Sequence, residues 1–226
     1  MEGTTEKRIA IGVITAVEED AWVRRFGEPT QGFGGIWLYN IGNYDVFVVK
    51  SGVGRITAAA TTQYLIDVIQ VDVVINYGTV GALSPDLKPG KPLRVTKVAD
   101  YQFDCSECDG SKIGHHSDFE DEFIPVNGID AERIPALKEM QEVVCACGDK
   151  FIGNENEKAK IRTLFGADIC DMESAAVAYT AFLNGKPCVI IKAISDTLTG
   201  GADEYEKNKE SSSDLCVKAI ERILTE

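Results

Sequence analysis

Histidine is almost absent from this sequence: His115 and His116 are the only two, and they are adjacent in a polar, acidic stretch. A nucleophilic triad needs an imidazole that takes the proton of a serine or cysteine. Two neighbouring histidines in an irregular segment do not indicate such a Ser–His or Cys–His pair. Carboxylates are therefore the candidate acid and base for any catalysis by this chain.

Positive charge is also scarce, because 23 Lys and Arg oppose 36 Asp and Glu, which gives a formal net charge of −13. Such a surface repels nucleic-acid phosphates and anionic lipids. No apolar run approaches the roughly 20 residues of a membrane span, and the opening "MEGTTEKR" lacks the apolar core of a signal peptide. We therefore expect no nucleic-acid partner, no membrane partner and a cytoplasmic location.

Metal-ligand repeats and a complete dinucleotide fingerprint are missing as well. The seven cysteines are an odd number, and "CSEC", "CAC" and the histidine pair do not repeat the spacing of a zinc finger or ribbon. The segment "SGVGR" (51–55) contains one G-x-G but lacks the third glycine of the fingerprint. We expect reduced, mostly buried thiols, no metal and no cofactor.

Short β-branched runs alternate with helical patterns along the 226 residues. Buried strands are predicted for "RIAIGVITAV" (8–17), "VDVVINYG" (71–78) and "PCVIIKAISD" (187–196), and a small-residue loop, "GTVGAL" (78–83), follows the second. A hairpin is predicted for 37–50, and helices are predicted for 18–26, 56–70, 131–144, 154–165, 172–185 and 212–226, with Asp171 as the N-cap of the fifth. We therefore expect a single α/β domain over 1–226, with a central twisted mixed sheet flanked by helices.

Two stretches show neither pattern. Residues 1–7 are polar, and we expect them to be disordered. Residues 105–127 are polar, acidic and irregular, and a loop of that length is typical of a lid, an interface element or disorder. We expect this segment at the mouth of a site or at an interface.

Acidic and small residues follow the three predicted buried strands and a fourth, short strand predicted within 166–171, at the edge where open α/β sheets bind ligands. The four groups are 18–20 (Glu-Glu-Asp), 78–81 (including Thr79 and Gly81), 172–173 (Met-Glu) and 195–196 (Ser-Asp). Each has an ordinary structural explanation, since acids stabilise the first turn of a helix and glycines permit tight turns. Together, however, carboxylates at three strand ends beside glycine-lined backbone predict a pocket for a neutral polyhydroxyl ligand and acid–base chemistry.

The same segments resemble those of the nucleoside phosphorylase/nucleosidase superfamily, specifically the 5′-methylthioadenosine/S-adenosylhomocysteine nucleosidases. "IGVITAVEED", "VVKSGVGRITAAATTQYLI", "DVVINYGTVGAL", "DMESAAVA" and "IIKAISD" occur in the family's order between residues 9 and 197. The resemblance implies a nucleoside phosphorylase-like domain, usually a homodimer, that binds a purine nucleoside, hydrolyses it to release adenine and serves methionine salvage.

The resemblance also implies roles for individual residues. Asp196 matches the acid that protonates the five-membered ring of the purine, and Glu173 matches the carboxylate that holds the ribose hydroxyls. Bond cleavage makes the sugar positive and the base negative, so a carboxylate at the sugar and a protonated acid at an apolar strand tip suit these roles. The other implied substrate contacts are Phe151 (stacking on adenine), Ile152 (backbone contacts to the base), Met172 (sugar face), Thr79 and Gly81 (near the water and ribose), Ser195 and Val53.

Asp20 stands where these nucleosidases usually carry the Glu that activates water. It is one methylene shorter than that Glu, and Glu19 is the second candidate for the base.

Phosphate could replace water as the nucleophile, as in a purine nucleoside phosphorylase. Related phosphorylases carry an Arg where this chain has Asn76, and the nearby cations are Arg24, Arg25 and Arg55. Because the acids at 18–20 would repel phosphate, hydrolysis is favoured. Two further hypotheses are hydrolysis of a futalosine-type nucleoside and non-catalytic nucleoside binding on the same fold.

Overall fold

All ten strands in the described part of the chain belong to one mixed sheet. The computed structural model describes residues 8–126 and 128–226, so segment 1–7, which we expect to be disordered, and Asn127 lie outside it. The strands are β1 (Ile9–Thr15), β2 (Gln31–Phe33), β3 (Ile36–Ile41), β4 (Tyr44–Lys50), β5 (Val73–Ala82), β6 (Pro92–Asp100), β7 (Ile124–Pro125), β8 (Gln141–Cys147), β9 (Ile169–Asp171) and β10 (Cys188–Asp196).

Strand β5 is central to this sheet, and along one of its edges the pairing strand changes from β1 to β9. One edge pairs in parallel with β10 over almost the whole strand. The other edge pairs with β1 as far as Asn76 and with β9 from Gly81 onwards. Between those two positions no described strand covers that edge of β5, and a gap opens beyond the end of β1. Strands β6 and β8 connect β10 back to β9, and β4, β3 and β2 extend the sheet beyond β1.

Seven α-helices in the described residues cover the sheet. They are α1 (Asp20–Phe26), α2 (Arg55–Tyr64), α3 (Ser106–Asp109), α4 (Pro135–Lys138), α5 (Glu155–Phe165), α6 (Ser174–Leu183) and α7 (Ala202–Thr225). Strand β10 is apolar on both faces: Ile190 and Ile194 join the core beneath α2 and α6, whereas Val189 and Ile191 join the core beneath α1 and α7. Burial on both faces explains its nearly continuous apolar sequence.

The predicted α/β architecture, the hairpin, the strand 187–196 and the helix 56–70 are confirmed, but two element assignments are wrong. The helix predicted over 131–144 is a 3₁₀ turn, the single turn of α4 and then strand β8. Ile134 precedes Pro135 and is extended, because a residue before proline is pushed out of the helical region. The predicted loop 78–83 is largely a continuation of β5. Helix 56–70 changes at Leu65 to a π-helical turn.

The irregular character predicted for 105–127 holds for the described residues up to Val126, apart from α3 and the two residues of β7. Phe119 packs on Tyr179 and Phe182 of α6, and Phe103 stacks on His116. The segment is therefore held against α6 by aromatic contacts. In the described residues no helix combines the length and the apolar character needed to cross a membrane.

Candidate active site

The gap at the uncovered edge of β5 is a cavity of about 350 Å³. Strands β1, β5 and β10 run in parallel, so their carboxyl ends meet there, as expected for a ligand site in an α/β sheet. Six polypeptide segments bring residues to the wall, and Tyr205 of α7 completes it. The lining residues are Ala16, Val17, Glu18, Val53, Thr79, Val80, Gly81, Phe151, Ile152, Cys170, Asp171, Met172, Glu173, Ser195, Asp196 and Tyr205.

Every site residue predicted from the sequence lines this cavity except Asp20. Asp20 is the first residue of α1 and its side chain is exposed. Glu19, the second candidate, is paired with Lys50 at 2.5 Å on the surface. The structure therefore corrects the expectation for Asp20: neither it nor Glu19 reaches the site, because α1 begins there and carries both away from the strand ends.

Glu18 is the member of the acidic run that turns back to the cavity. Its Oε1 accepts hydrogen bonds from the backbone N–H of Thr79 at 3.1 Å and from Thr79 Oγ1 at 2.9 Å. Thr15 Oγ1 donates to Oε2 at 2.6 Å. The carboxylate thus satisfies a backbone group on the edge of β5 that no strand covers. No local signal separates Glu18 from Glu19 and Asp20, because Thr15 lies in β1 and α1 begins only at Asp20, so the Thr-x-x-Glu spacing is not that of a capping box.

Glu173 follows β9 and occupies the N-cap position of α6, where the sequence predicted Asp171. Its Oε1 accepts the backbone N–H of Gly54 at 2.8 Å. Gly54 has a φ of 102°, which favours glycine, and a Cβ there would lie 3.2 Å from Asp149 Oδ1. Burial, together with the charge of Asp171, raises the pKa of Glu173 to about 7. The group is poised to change protonation near neutral pH.

A buried ion pair lies directly behind Glu173. Lys192 Nζ of β10 is 2.8 Å from Asp171 Oδ2 of β9, and both side chains are almost completely buried. Burial alone would raise the pKa of Asp171, but the Lys192 charge and the hydrogen bonds from Lys192 and Ser174 hold it below its ordinary value. Asp171 also accepts the Ser174 backbone N–H at 3.2 Å, so it stabilises the start of α6 from outside the N-cap position.

Asp196 ends β10 and is 1% exposed. Ser195 Oγ lies 2.9 Å from its Oδ1, and Lys158 Nζ lies 2.6 Å from its Oδ2. Gly81 faces the carboxylate, since a Cβ there would approach Asp196 Oδ2 to 3.0 Å and Cys170 Sγ to 3.2 Å. The glycine therefore makes room for the acid. Nothing in the sequence indicated Lys158, which stands in a polar helix among exposed residues.

Aromatic and apolar side chains form the opposite part of the wall. Phe151 is 46% exposed, and its ring meets that of Tyr205 edge-on with 5.8 Å between centroids. Ile152 beside it is buried. An exposed aromatic face at a cavity offers a flat ring a stacking surface. Tyr205 was not predicted, because it lies in the polar run that begins α7 and shows no apolar pattern.

The family model of the phosphorylase superfamily matches residues 11–226. The chain belongs to the phosphorylase superfamily. An aminodeoxyfutalosine nucleosidase of Campylobacter jejuni is 30% identical over 198 residues, covering 80% of this chain and 82% of the relative. A 5′-methylthioadenosine/S-adenosylhomocysteine nucleosidase of Marinomonas sp. is 26% identical over 225 residues, covering 93% and 97%.

A solved structure of the Helicobacter pylori 5′-methylthioadenosine/S-adenosylhomocysteine nucleosidase is similar to this superfamily member along nearly its whole length. The TM-score is 0.88 at 25% sequence identity, with 96% of this chain and 98% of the other covered. That structure holds a 4-amino-pyrrolopyrimidine compound. The predicted fold class and family resemblance are confirmed.

The cations considered for phosphate in this phosphorylase-superfamily chain have other partners. Arg24 and Arg25 bind Asp214 and Glu221 of α7, and Arg55 binds Asp149. Asn76 donates to the carbonyl of Ile14 at 3.0 Å. No arginine or lysine of the described residues lines the cavity, whereas four acidic residues do: Glu18, Asp171, Glu173 and Asp196. A phosphate dianion would meet net negative charge there.

Proposed function

We propose that the protein is an N-glycosyl hydrolase that cleaves 5′-methylthioadenosine/S-adenosylhomocysteine-type purine nucleosides and releases adenine. The observation that carries the proposal is the single cavity in which Asp196, Glu173 and Glu18 lie at different strand ends beside an exposed aromatic ring. The activities of the relatives from Marinomonas and Helicobacter pylori support the same class of reaction.

Asp196 is the general acid in this proposal. As the C1′–N9 bond breaks, its electron pair stays with the purine, and Asp196 gives its proton to a nitrogen of the five-membered ring. Protonation removes the negative charge that would otherwise develop on the leaving base. Phe151 stacks on the purine, and the backbone of Ile152 binds its edge.

Glu173 binds the ribose hydroxyls, with Met172 along the sugar face. The sugar becomes positively charged as the base departs, and a nearby carboxylate stabilises that charge inside a site shielded from water. Because the pKa of Glu173 is about 7, the approaching positive charge favours its ionised form at the moment of reaction.

Glu18 activates the attacking water, in place of Asp20. Its carboxylate accepts the proton that the water loses when the water oxygen bonds to C1′. The hydrogen bonds from Thr15 and Thr79 hold the carboxylate in one orientation at the edge of β5. Orientation of this kind is the condition for effective general-base catalysis.

Water, rather than phosphate, is the nucleophile that suits this cavity, because its charged lining is acidic and the three candidate arginines are engaged elsewhere. A second candidate substrate is an aminodeoxyfutalosine-type nucleoside, since the Campylobacter relative with that activity is 30% identical. Both candidates share the purine, the ribose and the cleaved bond, and differ in the 5′ substituent.

The proposal includes a homodimer formed through α2 and the end of α6. Large apolar side chains are exposed there: Ile56 is 83% exposed, Val68 58% and Leu183 65%. Val68 lies in the π-helical turn that continues α2, and hydrogen bonds between Gln63 and Asn184 join α2 to the end of α6. Val53, which lines the cavity, lies just before α2. An exposed apolar surface of this kind is typical of a protein interface. A cytoplasmic location and a role in methionine salvage accompany this proposal.

The proposed activity is tested by incubating the protein with 5′-methylthioadenosine, S-adenosylhomocysteine, aminodeoxyfutalosine and inosine, each with and without phosphate. Free base and the sugar product are measured. We expect release of free base and a free reducing sugar without phosphate, and a loss of at least about 10²-fold in D196N, which should still bind the nucleoside. Turnover only with phosphate, or none with any nucleoside, would contradict the proposal.

A further inference from the structure

Helix α5 carries a lysine at a position that its packing assigns to the core. The inward residues of this helix are Lys158, Ile161 and Phe165, at the spacing of one helical stripe. Lys158 is fully buried, whereas Lys160 two residues further on is exposed. A buried charge is costly unless it is paired and hydrogen-bonded. The surroundings of Lys158 must therefore contain that pairing.

Three acceptors surround the Lys158 nitrogen. Nζ lies 2.6 Å from Asp196 Oδ2, 2.7 Å from the carbonyl oxygen of Thr197 and 3.2 Å from that of Gly200. An ammonium has three N–H donors and matches this set, whereas a neutral amine has two and would direct its lone pair at one acceptor. Lys158 is therefore charged, and Oδ2 of Asp196 is occupied by its hydrogen bond.

The second oxygen of Asp196 has a partner that suits both protonation states. Ser195 Oγ lies 2.9 Å from Oδ1 and 3.1 Å from the carbonyl oxygen of Val80. The hydroxyl has one hydrogen, so it donates to Oδ1 when Asp196 is ionised. When Oδ1 carries a proton, the hydroxyl turns to Val80 and accepts from Oδ1. Neither state leaves a buried polar atom unpaired, and the transferable proton belongs on Oδ1.

We propose that Lys158 is a positioning residue that stabilises the carboxylate form of Asp196 and thereby promotes transfer of its proton to the leaving base. The inference rests on the proposed function. When the Oδ1 proton moves to the purine, the carboxylate left behind forms an ion pair with Lys158, which keeps its three protons. The same ammonium favours ionisation of Asp196 before substrate binds, so the active form is lost as pH rises.

Other ionisable groups near Asp196 do not supply this effect. Burial raises the pKa of Cys170 on β9 to about 12, so its thiol is neutral. On α7, Glu204 accepts the Thr197 backbone N–H at 2.7 Å, and burial raises the pKa of Tyr205. Glu18 and Glu173 line the same cavity and are acidic. Lys158 is the one cation paired with Asp196 among the described residues.

The first test compares the pH dependence of kcat/KM in K158M, K158R and K160M. In K158M we expect the maximum of kcat/KM to fall by about tenfold or more, because the acid loses the charge that stabilises its product. We also expect the high-pH decline to move upward by about one pH unit or more, since Asp196 keeps its proton longer. K158R should keep the pH at which activity declines, and K160M should match the unsubstituted enzyme.

The second test needs no turnover and separates this inference from the proposed function. Infrared difference spectra of the free enzyme against D196N report the carboxylic-acid C=O stretch of Asp196. We expect that band to be absent near neutral pH in the unsubstituted enzyme and in K158R, and to be present in K158M.

Two results would overturn the inference. One is a protonated Asp196 band in the unsubstituted enzyme near neutral pH. The other is a K158M profile that falls by the same factor at every pH, because a merely structural lysine would give that result. If K158M does not fold, the bands of the unsubstituted enzyme and K158R still decide the question.

Discussion

At the scale of single residues, the acidic run at 18–20 gives the sharpest prediction. We expect E18Q to lower kcat by about 10²-fold or more, since the amide cannot accept the proton of the attacking water. D20N and E19Q are matched controls on the same run and should stay within about threefold of the unsubstituted enzyme, because neither side chain lines the cavity. The measurement is adenine release under saturating substrate. A large loss of kcat in D20N, with kcat unchanged in E18Q, would show that Asp20 is the general base.

Some of the site residues could be predicted from the local sequence and others could not. Asp196 and Glu173 could be predicted because each lies at the carboxyl end of a strand, where open α/β sheets bind ligands. Glu18 could not be separated from its neighbours, because the direction of each side chain depends on where α1 begins. Lys158 could not be found at all, since a buried lysine in "NENEKAKI" has the same local sequence as an exposed one.

At the scale of elements, the Lys192–Asp171 ion pair joins β10 to β9, two strands that both pair with β5 but not with each other. We expect K192M to lower the free energy of unfolding by about 3–5 kcal/mol, because it leaves a buried carboxylate without its counter-charge. The double variant K192M/D171N should recover part of that loss. Urea denaturation followed by circular dichroism measures both, with K160M as the exposed-lysine control. Equal stabilities for the two single-lysine variants would contradict the expectation.

Apolar periodicity predicted the strands and helices, except where pairing with a distant strand determines the local structure. Residues 141–144 fit either a helix or a strand locally, and pairing with β6 makes them part of β8. The small residues of "GTVGA" predict a loop, but pairing with β10 and β9 extends β5 through this segment. One of those small residues, Gly81, leaves room for Asp196. The small residues that made the strand look like a loop are therefore part of the site.

At the scale of the whole molecule, the exposed apolar face of α2 predicts self-association. We expect I56D to convert a dimer into monomers, because Ile56 is 83% exposed and a carboxylate buried there would lose its hydration. L164D is a matched control, since Leu164 on α5 is 57% exposed and apolar but lies on another face. Light scattering coupled to size-exclusion chromatography gives the mass of each. A monomeric unsubstituted protein, or a dimer in I56D, would contradict the proposed interface.

The pH dependence of global stability is set in part by Glu173, whose pKa rises from 4.5 to about 7 on folding. Between those values the folded protein keeps a proton that the unfolded chain releases, so folding stability falls as pH rises through this window and stays lower above it. A shift of this size corresponds to about 3 kcal/mol. Against the effect of burial, the charge of Lys192 keeps the pKa of Asp171 below its ordinary value, and the charge of Asp171 keeps the pKa of Lys192 above its ordinary value, so this pair titrates outside the window.

E173Q removes the titrating group while keeping the size of the side chain. We expect its stability relative to the unsubstituted protein to improve by about 3 kcal/mol between about pH 4 and about pH 8, as measured by urea denaturation at several pH values. Taking the difference between the two proteins at each pH cancels the contributions of all other titrating groups. A constant difference for E173Q would mean that Glu173 ionises in the folded protein as easily as in the unfolded chain.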